Sequence, residues 1–329
     1  MKHVHEYVAK GRVYRYFRHG KSKIRLYGEP DSPEFIAQYN ELLASVSVTR
    51  EPIAPGTIAA LIMDYKRSPE FAKLKPKSQH SYAVNLDRLA DIGHGRLDAL
   101  KRMHILALRD NLSEHPRTAD VFIQVTTRLL NWGVDRGYLE ANPAANVKRI
   151  NKYTPYKKWT SAECQVFEDS LPREALMTAY MLGRYTGQRR GDVLRMVRTR
   201  YDGAAIEVVQ SKTDTPLWIP CHARLKTYLD TLPTDRLLFI VTRRGRAWDD
   251  ANFSHQFIKQ LRKAGLDHLT FHGLRHTAAT ALAEAGCSNH EIMAITGHAT
   301  SAMVDKYTRT AEQKKRASAA ILKLERGQG

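Results

Sequence analysis

The sequence runs to 329 residues, with 52 Lys and Arg against 34 Asp and Glu and a formal net charge of +18. A chain of this length can bury a sizeable core and hold two or three domains, and so large a positive surplus points to nucleic acid or an anionic surface as its counterpart. No apolar run approaches the roughly 18–20 residues a membrane span needs and no secretory leader is visible at the start, which sets a membrane role aside. The three cysteines, Cys164, Cys221 and Cys287, lie far apart without metal-ligand spacing. They fit a reducing compartment and small apolar roles, so a cytoplasmic location is expected.

Residues 1–30 carry eight Lys or Arg against two Glu. Here "RVYRYFRHGKSKIRLYG" sets two β-prone, aromatic-rich runs around a His-Gly-Lys-Ser turn, which predicts a basic hairpin, either a DNA contact or a structural flap. "GEPDSPEF" then breaks the chain, a short helix is expected from Pro33 to Ser45, and "TREPIAPG" reads as a linker. Across 56–148, "TIAALIMDYKRS", "SQHSYAVNLDRLADIG" and "ADVFIQVTTRLLNWGVDRGYL" place apolar residues at helical spacing. Lys66, Lys73, Lys75 and Lys77 gather around the first turn of this region. "NPAANVKRINKYTPYKK" is a basic, proline-bearing connector that marks a second boundary.

From Trp159 the texture is mixed. "SAECQVFEDS" opens a helix with a Ser-x-x-Cys start, and "EALMTAYMLGRYTG" reads as a buried helix ending at Gly187. The two β-prone runs of "AAIEVVQSKTDTPLWIP" flank a polar turn, a second hairpin. In "FHGLRHTAAT", His272 and Arg275 stand at i and i+3 and share one helix face. Leu274, Ala278, Ala281, Leu282 and Ala285 form the other face, with Gly286 as the stop. Ser288 and Glu291 have capping-box spacing and Gly297 closes that helix. At the end of the chain Ala317, Ala320, Ile321 and Leu324 form one apolar stripe, to be buried either on its own domain or on a neighbouring subunit. The expected fold class is mainly α with small β elements. It comprises a small basic β-hairpin module at 1–50, a helical domain at 56–148 and a mixed α/β domain at 155–329.

Polar residues stand at the element junctions of the last region. "TGQRRGDVLRM" puts Arg189 just after a glycine break, with Asp192 one turn on to pin its guanidinium. The hairpin tip supplies Lys212, the helix start His272 and Arg275, "TGHAT" His298 and "VDKYTR" Tyr307. Each is common in a basic protein, but the order is specific. Arg, Lys, His-x-x-Arg, His, Tyr resembles the tyrosine recombinase family, the phage-integrase type of site-specific recombinase. The resemblance covers about 155–310, and 56–148 is similar to that family's core-site-binding domain, whose ending is similar to "LLNWGVDRGYLEANP". The first 50 residues match only loosely. The resemblance implies two domains forming a clamp on double-stranded DNA, a homotetramer in the synaptic complex, and accessory DNA-bending or directionality proteins.

The chemistry accounts for the residue types on its own terms. Cutting DNA while conserving the bond energy needs a covalent phosphoryl intermediate and so an enzyme nucleophile, for which Tyr307 is the candidate. A tyrosine titrates near 10, so its phenolate needs a positive site. Arg189 and Arg275 are candidates to hold the non-bridging oxygens bidentately. Lys212 is the candidate acid for the leaving 5′-oxygen, His272 the acceptor of the Tyr307 proton, and His298 a hydrogen-bond donor to the phosphate. Arg190 and His276 are read as surface or packing residues. No metal and no cofactor is expected, because two arginines and a lysine supply the charge that Mg²⁺ supplies in carboxylate-based nucleases. The expected activity is integration or excision of a mobile element through a 3′-phosphotyrosine. The alternatives are a type I topoisomerase-like nicking and closing enzyme and a DNA-binding regulator that does not cut.

Overall fold

The computed structural model describes residues 1–9, 11–19, 22–46, 53–152 and 154–327. They fall into two units, Met1–Tyr153 and Thr154–Gly329. Helices dominate and strands are few, the fold class the sequence predicts.

The first unit opens with β1 (Val4–Ala9), β2 (Arg12–His19) and β3 (Ser22–Leu26), an antiparallel sheet in the order β1-β2-β3. The expected hairpin is β2–β3; the third strand, β1, is a correction to the two-stranded reading. Only its two end residues are partly covered, so it lacks the alternation that marks a strand with one face in a core. Phe17 and Leu26 bury one side of the sheet against Phe35 of α1 (Pro33–Val46). The register pairs Tyr7 with Tyr14 and Tyr16 with Arg25, which sets these side chains on the opposite face. There Tyr7 stacks on Tyr14 and Tyr16, and Lys23 and Arg25 lie over the rings at 4.2 Å (Tyr16) and 5.0 Å (Tyr14). The Gly20-Lys21 turn and the first part of the expected linker, 49–52, lie outside the described residues.

The rest of this unit is α2 (Ile58–Arg67), α3 (Pro69–Ala72), α4 (Pro76–Leu89), α5 (Arg102–Asp110) and α6 (Pro116–Asp135). Thr57 and Ser68 cap α2 and α3 by accepting from Ala60 N and Phe71 N. Leu61, Leu86, Leu89, Ile105, Phe122 and Leu129 are fully buried at the centre. The sequence reading missed α5. Its nine residues bury only Ile105 fully, too little for an apolar stripe to stand out. Of the lysines near the first turn, Lys66 reaches Asp87 at 2.9 Å.

The second unit contains α7 (Ser161–Asp169), α8 (Glu174–Thr186), α9 (Arg190–Val193), the hairpin β4 (Ala205–Val209) and β5 (Pro216–Pro220), α10 (Ala223–Asp230), α11 (Asp250–Lys263), α12 (Phe271–Glu284), α13 (Asn289–Thr296) and α14 (Ser301–Gly327). The start of α7 differs from the Ser-x-x-Cys reading. Thr160 is the cap and Glu163 completes a capping box, with Cys164 buried in the core. The expected box of Ser288 and Glu291 does form at α13. Gly187 ends α8 with φ 62°, which a β-carbon would strain.

Two expectations about apolar faces are corrected. On α12, Ala281 and Ala285 are exposed, whereas Ala279 and Ala283 join Ile292, Val304 and Tyr307 in a small core of their own. The helix turns a second buried face to α13 and α14, which periodicity within α12 alone does not reveal. In the tail, Ala317 and Ala320 are exposed, and Ile321 and Leu324 expose 54% and 58% of their surface. The stripe therefore does not fold back onto the described residues of its own unit.

Candidate active site

Helix α12 is the floor of the site, and its burial decides the state of the groups it carries. Thr270 caps it by accepting from Gly273 N. Gly273 sits so close to the connector that a β-carbon there would lie 2.9 Å from Trp159 Nε1. Arg275, one turn in, is 3% exposed. Its Nη1 donates to the carbonyls of Gly187 (2.9 Å) and Thr296 (2.6 Å), the last turns of α8 and α13. Its Nη2 is buried and makes no hydrogen bond to any described residue. A buried guanidinium N–H without a partner costs free energy, so a ligand that accepts from it recovers that cost. Burial, followed by the charge of Arg189, lowers Arg275 to about 10, which leaves it protonated at neutral pH.

Arg189 is the cap residue of α9, partly exposed, and its Nη1 donates to Gln210 Oε1 at 2.8 Å. The expected partner, Asp192, forms a long ion pair with it, Oδ2 lying 4.0 Å from Nη1. Its Oδ1 accepts from both the backbone N (2.9 Å) and Oγ (2.6 Å) of Ser211, which holds the base of the β4–β5 turn. The carboxylate thus fixes the hairpin through one oxygen and faces the Arg189 guanidinium with the other, while Gln210 supplies the hydrogen bond that orients that guanidinium. Lys212 is exposed on the next residue of that turn.

His298 follows Gly297, the left-handed end of α13, and its Nδ1 lies 2.7 Å from Thr296 Oγ1. Tyr307, two turns into α14, is 6% exposed. Its ring meets that of His298 at 5.7 Å and that of His276 at 5.1 Å, nearly edge-on at 87°. His276 in turn lies 5.4 Å from His272, whose ring also contacts Tyr156 at 4.6 Å. Lys306 Nζ stands 4.8 Å over the Tyr307 ring.

Arg189 and Arg275 are joined through Gln210 and the Thr296 carbonyl, His298 and Tyr307 lie beside them and His272 reaches Tyr307 through His276, while Lys212 stands exposed on the turn. Burial, then the charges of Arg275, Lys306, Arg189 and Lys212, lower His272 to about 4. Burial, then Arg275 and Arg189, lower His298 to about 3. His276, read as a packing residue, is buried beside the site and is lowered by its burial to about 4. All three imidazoles are neutral at neutral pH, so the net positive charge rests on the arginines and lysines. Arg190 is turned away, paired with Asp250 and Ser254. The sequence reading missed Gln210, Thr296, Lys306 and Tyr156, although the first three stand within the quoted stretches "QSKTDTPLWIP", "TGHAT" and "VDKYTR". Among the described residues no group of three or more His, Cys, Asp or Glu is arranged to hold a metal ion, and no helix is long and apolar enough to cross a membrane.

Comparison with known proteins places this geometry. The phage integrase family matches residues 144–314. A tyrosine recombinase XerC from Serratia marcescens is 26% identical over 262 residues, 72% of this chain and 85% of its own. A XerC-like tyrosine recombinase from Caldanaerobacter subterraneus subsp. tengcongensis is 24% identical over 219 residues, 51% of this chain, and the match spans only 56% of that relative's length. Among solved structures, a lambda integrase tetramer bound to a Holliday junction superposes with a TM-score of 0.66 at 18% identity, covering 90% of this chain and 96% of that one. The Tn1549 transposon integrase in complex with transposon right end DNA gives 0.68 at 15% identity, covering 79% and 99%. At these identities the solved structures speak for the fold, while the family match covers half of the chain and the whole of the site. The chain belongs to the phage integrase family, the tyrosine recombinases.

Proposed function

We propose that the protein is a site-specific DNA recombinase that cleaves and rejoins double-stranded DNA through a covalent 3′-phosphotyrosine, integrating or excising a mobile element. The observation that carries this reading is the buried Arg275, whose Nη2 has no partner among the described residues and stands with Arg189, Lys212, His298 and Tyr307 around one small region. Two guanidinium groups suit a phosphodiester, whose transition state spreads charge over its non-bridging oxygens.

In the reaction the Tyr307 oxygen attacks phosphorus, the bond to the 5′-oxygen breaks, and that oxygen takes a proton from Lys212. Neutral His272 accepts the Tyr307 proton. Rejoining is the reverse, with a 5′-hydroxyl from the partner strand as nucleophile. Residues 56–148 act as the helical core-site-binding domain that closes with the catalytic domain, 155–329, as a clamp on the duplex. The module at 1–50 adds DNA contacts through the basic, tyrosine-lined face of its sheet. Four copies assemble on two sites, and the exposed stripe on α14 is covered by a neighbouring copy. Accessory DNA-bending or directionality proteins belong to the same reading, and the protein acts in the cytoplasm.

A plasmid carrying two copies of the element's attachment site tests this. Recombined product with wild-type protein supports the proposal. Relaxation of supercoils without product supports the topoisomerase alternative, and binding without cleavage the regulator.

A further inference from the structure

Below the phosphate-facing groups lies a buried polar network that takes no part in the proposed bond-making and proton transfers, and Gln210 is its centre. The residue directly follows β4, two positions before Lys212, and is fully buried. Its Oε1 accepts from Arg189 Nη1 at 2.8 Å and from Thr213 Oγ1 at 3.2 Å. Its Nε2 donates to the Thr296 carbonyl at 2.8 Å and to Gln188 Oε1 at 2.6 Å. The amide orientation is fixed by its partners, since an arginine can only donate and a carbonyl only accept. The Thr296 carbonyl also accepts from Arg275 Nη1, and the Thr296 hydroxyl is bonded to His298. One carboxamide therefore joins Arg189 to the residue that holds both Arg275 and His298.

A second observation points the same way. Gly297 has φ 68°, and a β-carbon there would lie 2.6 Å from Gln210 Cδ and 2.7 Å from its Oε1. The glycine both closes α13 and leaves the space the carboxamide occupies. A buried carboxamide whose oxygen and nitrogen each make two hydrogen bonds holds its partners in one arrangement.

We infer that Gln210 is a positioning residue that sets the spacing of Arg189 from Arg275 and His298, so that all three address the same phosphate. The inference rests on the reading of the site as a phosphotyrosine-forming centre. Displacing a catalytic group by about 1 Å costs on the order of 100-fold in rate.

The test uses the full chain and a nicked suicide substrate, made with either oxygen or sulfur at the scissile 5′ position. A thiol titrates near 8.5, so a thiolate leaves without being handed a proton, and sulfur relieves a defect confined to Lys212. Gln210→Glu keeps the acceptor for Arg189 but loses the donors to Thr296 and Gln188. Gln210→Met loses both at the same length and without charge, and carries the test if the glutamate variant does not fold. Both variants, and Gly297→Ala, are expected to bind the site normally, with unchanged circular dichroism, and to form adduct on the order of 100-fold more slowly on both substrates. Lys212→Ala is expected to recover on sulfur alone. Adduct formation at the wild-type rate, or full recovery on sulfur, would overturn the positioning role. No adduct from the wild-type protein would instead overturn the proposed function and this inference with it.

Discussion

At the scale of the residue, Arg275 shows how burial prepares a group for a ligand. Two carbonyls hold one of its nitrogens while the other is buried without a hydrogen bond among the described residues. Arg275→Ala and Arg189→Ala should each slow adduct formation by about 10²–10³-fold, the loss of one preorganised donor at a developing charge, about 3–4 kcal/mol. Single-turnover cleavage measures this, and a variant within a few-fold of wild type would remove that arginine from the phosphate clamp. The histidines give a pH signature. His272 and His276 titrate near 4 and His298 near 3 in the folded protein, against about 6.5 when unfolded. Between pH 6.5 and 4 the unfolded chain binds more protons than the folded one, so stability is full above 6.5 and falls as pH falls through that window. Thermal unfolding of the DNA-free protein at pH 7.5, 6.0 and 5.0 should give successively lower midpoints, with a shallower decline in His276→Gln. Midpoints that do not move between 6.5 and 5.0 would contradict the burial of these rings as neutral groups. Five of the six polar residues were legible because each stands beside a helix start, a glycine stop or a turn tip that local sequence marks, and Tyr307, two turns into α14, by its place in the order after them. Gln210 and Thr296 were not, because their significance is a hydrogen-bond partner 86 positions away.

At the scale of the element, local signals and tertiary demands separate. The ends of α8 and α13 were readable from Gly187 and Gly297, and the β4–β5 hairpin from its β-prone runs around a polar turn. The second buried face of α12 was not, since Ala279 and Ala283 are covered by α13 and α14, which sequence spacing within one helix cannot foresee. Strand β1 escaped for the opposite reason, being too exposed to alternate. The tail of α14 joins the two cases: its stripe was legible, and it is exposed in the isolated chain. Ending the chain after Arg316 should leave site binding by the monomer intact while impairing synapsis and strand exchange. Gel-shift and two-site recombination assays measure these. Normal recombination by the truncated protein would contradict coverage of this stripe by a second copy.

At the scale of the whole molecule, the net charge of +18 includes eight Lys or Arg against two Glu within residues 1–30. Removing residues 1–50 should leave phosphotyrosine formation intact but weaken binding. It should also flatten the plot of log affinity against log salt by about 0.9 for each phosphate that the sheet neutralises. An unchanged slope would make the sheet a structural flap. The central claim is that side chains alone make and break the phosphotyrosine bond, with Tyr307 as nucleophile. The most direct measurement incubates full-length protein with a nicked suicide substrate in EDTA, separates the products on a denaturing gel and maps the DNA-linked peptide by mass spectrometry. The account predicts an adduct that survives EDTA, maps to Tyr307 and is absent from Tyr307→Phe, which still binds the DNA. An adduct retained by Tyr307→Phe, or cleavage abolished by EDTA and restored by Mg²⁺, would contradict it.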